Sequence, residues 1–127
     1  MRLNSLIRLT PRLWRLLFCI CLMAVLVLAL TPPTQPIPTT GWDKANHVLA
    51  FLALGCLGRR AYGRQRTAVL LALVGYGVLI ELLQGMTTYR DADPTDVLAD
   101  SIGLLAALAL DWFLAWAGRL RTGASRG

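Results

Sequence analysis

Apolar residues run unbroken from residue 16 to residue 30, directly after Trp14 and Arg15. With those two side chains at an interface, the run reaches the length a membrane-crossing helix needs. The next eleven residues, 31–41, carry Pro32, Pro33, Pro36 and Pro38, which cannot continue a helix and predict an extended connector. A second helix is expected over about 42–58, although only 48–57 is purely apolar, short enough to suggest a re-entrant segment instead. A third is expected over 67–86, interrupted late by Glu81 and Gln84. The fourth, over 97–118, carries Asp100, Ser101 and Asp111, with Trp112 and Trp116 placed as interfacial aromatics. No internal repeat is present.

Composition turns these helices into membrane spans. Of 127 residues, 56% are hydrophobic and 16% charged, against roughly 45–50% and about 25% in a soluble domain. A soluble fold this small exposes too much surface to hide such a chain, and disorder needs the opposite composition. The expectation is an all-α integral membrane bundle of four transmembrane helices. Cys19, Cys21 and Cys56 all fall in apolar runs, and an odd number without Cys/His zinc spacing predicts packing residues.

The net charge of +6 decides the topology. Basic residues cluster between apolar runs, with no interleaved aromatics to stack bases, so lipid is the expected partner and nucleic acid is not. Arg2, Arg8, Arg12 and Arg15 precede the first span, and Arg59, Arg60, Arg64 and Arg66 lie between the second and third. Arg119, Arg121 and Arg126 follow the fourth, which leaves only Lys44 and Arg90 on the other side. Such alternation predicts four crossings with both termini in the cytoplasm, and a re-entrant second segment would break it. The chain divides into a basic N-terminus (1–15), the first span (16–30), a core (42–107) and a basic tail (119–127). The N-terminal segment also resembles a signal peptide, but Leu28-Ala29-Leu30-Thr31-Pro32 offers no clean cleavage site and Phe18 before Cys19 fits no lipoprotein signal. A retained anchor is expected.

With this topology Asp43, Lys44, His47, Glu81, Gln84, Arg90, Asp96 and Asp100 fall in one slab at the outer interface, while Asp111 lies nearer the cytoplasm. Asp43 and His47 are spaced i,i+4, Glu81 and Gln84 i,i+3, and Asp96, Asp100 and Gly103 share a stripe. Charges in membrane helices are costly and usually face a cavity or a partner, so an outward-opening polar pocket is predicted. The helix N-termini of the second and fourth spans add positive dipole ends. Blander readings stand beside this one. Thr40-x-x-Asp43 and Asp93-Pro94-Thr95-Asp96 both look like capping boxes. Lys44 can mark the interface or neutralise Glu81, His47 can be an interhelical hydrogen-bonding residue, and Asp111 is expected to pair with an Arg. Gly75, Gly77 and Gly103 suit close helix packing.

Asp43-Lys44-x-x-His47 with Phe51, then Glu81-x-x-Gln84, then Arg90-x5-Asp96-x3-Asp100-x-x-Gly103, resembles the VanZ-like membrane proteins, named after a teicoplanin-resistance accessory protein. The similarity covers about 42–107, in the family's motif order. Two departures are Phe51 where the family commonly has Tyr and Asp100 where it commonly has Asn. The resemblance implies a bacterial, helical protein of the cytoplasmic membrane with a cell-envelope connection. It implies no particular reaction, and does not make this chain a resistance factor.

Three functions follow as expectations. The first is binding of an anionic lipid head group, peptidoglycan precursor or glycopeptide, with Asp43, Lys44, Gln84, Arg90 and Asp100 as ligand-binding residues. The second is an intramembrane enzyme acting on a lipid-linked substrate, with His47, Glu81 and Asp96 as its catalytic set. The third is a polar cluster that only fixes helix register. A metal held by His47, Glu81, Asp96 and Asp100 has suitable donors but no diagnostic spacing, so no metal and no cofactor is expected.

Overall fold

The computed structural model describes residues 10–34 and 42–124. Arg2, Arg8, most of the proline connector with Thr40, and Arg126 lie outside them. The described residues form four α-helices and no strand: α1 (Pro11–Leu30), α2 (Asp43–Ala61), α3 (Arg66–Gly85) and α4 (Pro94–Ala124).

Helix α1 begins at Pro11, ahead of the apolar run at Leu16. Proline suits a first helical turn, and the Thr10 hydroxyl caps it by accepting from the Leu13 amide. Arg12, Trp14 and Arg15 are therefore helical, which apolar counting does not reveal. The helix ends where Thr31 turns its hydroxyl onto the Val27 carbonyl at 2.6 Å and prolines follow. Helix α2 starts at Asp43 after Trp42, whose own side chain makes no capping hydrogen bond; Thr40 of the expected Thr40–Asp43 capping box lies outside the described residues. Its last turn carries Arg59 and Arg60, favourable at the negative end of the dipole. Helix α4 starts at Pro94 and runs 31 residues, about 46 Å at 1.5 Å per residue and longer than a hydrocarbon core of about 30 Å.

Neighbours alternate in direction. Phe18 meets Gly58 and Tyr62, so α1 and α2 are antiparallel. Gly58 faces Val69, and Phe51 lies by Gly77 and Tyr76, so α2 and α3 are antiparallel as well. Helices α1 and α3 then run parallel, as do α2 and α4. Tyr76 donates to the Leu22 carbonyl at 2.6 Å and Gln84 to that of Ala29 at 2.9 Å. His47 sits opposite Asp100, Gly55 opposite Ala107, and Arg59 opposite Asp111. Helix α2 touches all three others, whereas α1 and α4 make no substantial contact.

Small residues bring α2 and α4 together. A Cβ on Gly103 would overlap the Val48 carbonyl oxygen and come within 2.9 Å of the Leu52 amide. Only a bare Cα lets the two backbones approach so closely. Gly77 on α3 instead makes room for a side chain of α4, since an added Cβ would stand 2.5 Å from Asp100 Oδ2. Gly75, expected to share this packing role, has nothing within 4 Å of an added Cβ and faces outward.

Phe18, Phe51, Leu54, Leu73, Ile80 and Leu104 are buried at the centre. Most other large apolar side chains lie outside, among them Leu16, Ile20, Met23 and Val27 on α1 and Leu71, Leu82, Leu98 and Leu105 on α3 and α4. A surface of this kind suits lipid tails. Three helices are long and apolar enough to cross a membrane: α1, α3 and α4, with mean hydropathies of 2.6, 1.9 and 1.8. Helix α2 is not among them, because Asp43, Lys44, Arg59 and Arg60 fall within its 19 residues.

Candidate functional site

Helix direction brings the C-terminal turns of α1 and α3 to the same end as the N-terminal turns of α2 and α4. Four ionisable side chains become buried there: His47 (8% exposed), Glu81 (5%), Asp96 (4%) and Asp100 (1%). The first comes from α2, the second from α3 and the last two from α4.

At the start of α4, Asp93 is the N-cap. Its Oδ1 accepts from the Thr95 amide at 2.9 Å and the Thr95 hydroxyl at 2.6 Å. The capping box expected from Asp93 and Asp96 is not completed by Asp96. The Asp93 amide instead donates to Glu81 Oε2 at 2.8 Å, so a carboxylate from α3 fills that role and ties the two helices together.

Asp96 is thereby released to face α2. The Lys44 ammonium donates to Asp96 Oδ1 and Asp93 Oδ2, each at 2.9 Å, and to the Thr95 hydroxyl. The Lys44–Glu81 ion pair considered from the sequence does not form, because Lys44 is spent on α4 and Glu81 on a backbone amide. Asp93, in the α3–α4 connection, is held well below the usual carboxylate range by the Lys44 ammonium and the Thr95 hydroxyl and amide.

His47 stands at the centre. Its Nδ1 is 2.8 Å from Asp100 Oδ1, and its Nε2 points between two other carboxylates, 3.5 Å from Asp96 Oδ2 and 4.0 Å from Asp43 Oδ2. Asp43 is half exposed and meets Arg90 Nη1 through its other oxygen at 3.6 Å. Glu81 Oε1 and Asp100 Oδ2 are buried without a hydrogen-bond partner. Burying a charged oxygen in that state costs free energy unless something completes it.

Seven of the eight residues singled out in the sequence thus gather in one network: Asp43, Lys44, His47, Glu81, Arg90, Asp96 and Asp100. Gln84 is placed differently. Its amide faces α1 and donates to the Ala29 carbonyl, while Tyr89 donates to Leu30 at 2.6 Å, so both satisfy carbonyls left open at the end of α1. Thr95 and the Asp93 side chain belong to the network and were read only as capping. Their signal was present in Asp-Pro-Thr, but caps and charge partners look alike in one dimension.

The opposite end of the bundle is basic. Arg59 pairs with Asp111 at 2.6 Å, the arginine partner expected for that acid. Arg15 lies over the Tyr62 ring and Arg60 over that of Trp14. An apolar groove of about 360 Å³, lined by Phe18, Leu22, Val69, Ala72, Leu73 and Tyr76, opens sideways between α1 and α3. It contains none of the clustered polar residues.

No curated protein and no solved structure matches the chain. The VanZ/LLP1 family model matches residues 9–115. That stretch takes in all four helices up to the middle of α4, every residue of the His47 network, and the close contact at Gly103. Since the match spans well over half of its length, the chain belongs to the VanZ/LLP1 family.

Proposed function

We propose that this VanZ/LLP1 protein crosses the bacterial cytoplasmic membrane four times, and that its His47 network binds the polar head group of an envelope lipid or precursor on the outer side. The sorting of charge supports the orientation. Arg12, Arg15, Arg59, Arg60, Arg64, Arg66, Arg119 and Arg121 sit toward one end, and six carboxylates with Lys44 and Arg90 sit toward the other. Both termini would then be cytoplasmic. Helix α2, at 19 residues, spans about 28 Å, close to the hydrocarbon thickness.

The observation that carries the binding reading is the pair of unpartnered buried oxygens, Glu81 Oε1 and Asp100 Oδ2. A cluster serving only helix register would leave none open. Amide, hydroxyl and ammonium groups of a sugar, peptide or ethanolamine head group are the donors such oxygens need. A second reading, acid–base chemistry by His47 on a lipid-linked substrate, is favoured by the His47–Asp100 contact, which would fix the imidazole ring.

Extraction of the protein with its surrounding lipid into polymer-bounded discs, followed by mass spectrometry, tests the proposal. One head-group class should be enriched over the bulk membrane in the wild type and lost in Glu81→Gln and Asp100→Asn. A lipid profile equal to bulk would reject it. Turnover of the enriched species by wild type but not by His47→Gln would favour the second reading.

A further inference from the structure

We propose that Asp43, His47 and Asp96 form a site for a divalent metal ion, with Asp100, Lys44 and Arg90 holding its ligands in place. The proposal does not depend on which head group, if any, the network binds.

Each ligand already has its other polar atom committed. Asp100 Oδ1 lies on His47 Nδ1, Lys44 Nζ on Asp96 Oδ1, and Arg90 Nη1 is near Asp43 Oδ1. The remaining atoms, His47 Nε2, Asp96 Oδ2 and Asp43 Oδ2, converge on one point. Nε2 is 3.5 and 4.0 Å from the two oxygens, and the donor atoms of all three residues lie within 4.8 Å of one another. Ligands bound to one ion at about 2.0–2.2 Å stand roughly 3–3.5 Å apart at tetrahedral or octahedral angles. Small side-chain movements inward by Asp43, the exposed member, close the set.

The imidazole is also prepared for this. A proton on Nδ1, given to Asp100, leaves the Nε2 lone pair facing the two carboxylates, the carboxylate–histidine arrangement that second shells impose on metal-binding histidines. In that tautomer, and without a cation, three electron-rich atoms would oppose one another at distances beyond an ordinary hydrogen bond.

The charge balance points the same way. Among the described residues Asp43, Glu81, Asp93, Asp96 and Asp100 face only Lys44 and Arg90 as fixed cations. Glu81 and Asp100, 5% and 1% exposed, each keep a buried oxygen with no partner. Glu81 interacts electrostatically with Asp96, His47 and Asp100. A dication offsets most of that surplus, whereas a proton on His47 offsets one charge. One nitrogen and two carboxylate oxygens suit Mn²⁺ or Zn²⁺ better than a soft ion. The ion would also offer positive charge to a phosphate.

The test uses the full chain in detergent, stripped with chelator and titrated with Mn²⁺ while free ion is followed by electron paramagnetic resonance. One Mn²⁺ per chain is expected, displaced by Zn²⁺, with a nitrogen coupling from the imidazole in the spin-echo modulation. His47→Gln and Asp96→Asn should abolish binding. Asp100→Asn should weaken it by about 10–100-fold, the usual cost of a second-shell change. Asp111→Asn, at the other end, should bind like wild type. Failure to bind Mn²⁺ or Zn²⁺ at about 1 mM, where even weak sites fill, would overturn the proposal. So would bound Mn²⁺ without nitrogen coupling, a wild-type readout that holds even if the variants fail to fold.

Discussion

Asp96 could have bonded back to its own helix end and instead faces α2, because Glu81 has taken the amide that a capping box would assign to it. One hydrogen bond between α3 and the start of α4 thus decides which carboxylate reaches Lys44 and His47. Double-mutant cycles on unfolding should show Lys44 coupled more strongly to Asp96, which it touches, than to Glu81, which it reaches only through Asp93; the reverse order would contradict the geometry. The glycines give an equally sharp contrast. Gly103→Ala forces a methyl against the backbone of α2 and should destabilise the bundle by about 1–3 kcal/mol, the range for overpacking. Gly75→Ala meets nothing and should be neutral or stabilising by less than about 1 kcal/mol, the helix-propensity gain. Thermal unfolding in detergent reads both.

Among the elements, α2 and α4 carry the site and their starts differ. Helix α4 is capped by Asp93, whereas the Trp42 side chain at the start of α2 caps nothing, and α2 is anchored by Lys44 reaching across to α4. Because Asp93 titrates lower in the folded chain than in the unfolded one, its stabilisation is complete above the unfolded value near 3.9 and fades as pH falls toward the folded value. The difference in melting temperature between wild type and Asp93→Asn should stay constant from about pH 7 to pH 5 and shrink below about pH 4. Loss of the difference at pH 6 would contradict this linkage. The helices were legible in the apolar runs to within a few residues, except that Pro11–Arg15 and the ends of α4 are polar helix and left no apolar trace. The clustered polar residues were legible too, from their spacing and from the cost of charge in lipid. Which of them touch was not. Whether Lys44 meets Glu81 or Asp96, and whether Gln84 faces the cluster or α1, depends on helix rotation, and rotation is set by contacts such as Gly103 on Val48.

For the whole molecule, the separation of an acidic end from a basic end organises everything else. The proposed orientation puts the α3–α4 connection outside and the α2–α3 turn inside. In intact cells a cysteine at Asp91 should react with an impermeant reagent, whereas one at Gly63 should react only after the membrane is opened. Labelling of Gly63 from outside would reject four crossings. In that orientation Trp112 and Trp116, exposed on α4 ahead of Arg119 and Arg121, would mark the depth at which the long helix leaves the hydrocarbon on the inner side.

The parallel pairing of α2 with α4 has a consequence for biosynthesis. Helix α2 leaves the ribosome about fifty residues before the partner that neutralises it, as the spacing from His47 to Asp100 records. Until α4 arrives, Lys44, His47 and Arg59 lack the partners Asp93, Asp96, Asp100 and Asp111, and charge in lipid costs several kcal/mol per group. In the proposed topology the growing chain would therefore pass through a stage in which α1 is inserted and α2 is not yet stably across. A chain truncated after Tyr89 keeps α1, α2 and α3 but has none of α4. It should be degraded quickly and leave a cysteine at Asp43 unlabelled from outside, and co-expression of the missing segment should restore labelling. Equal labelling of the truncated and full chains would show that α2 crosses without its partner.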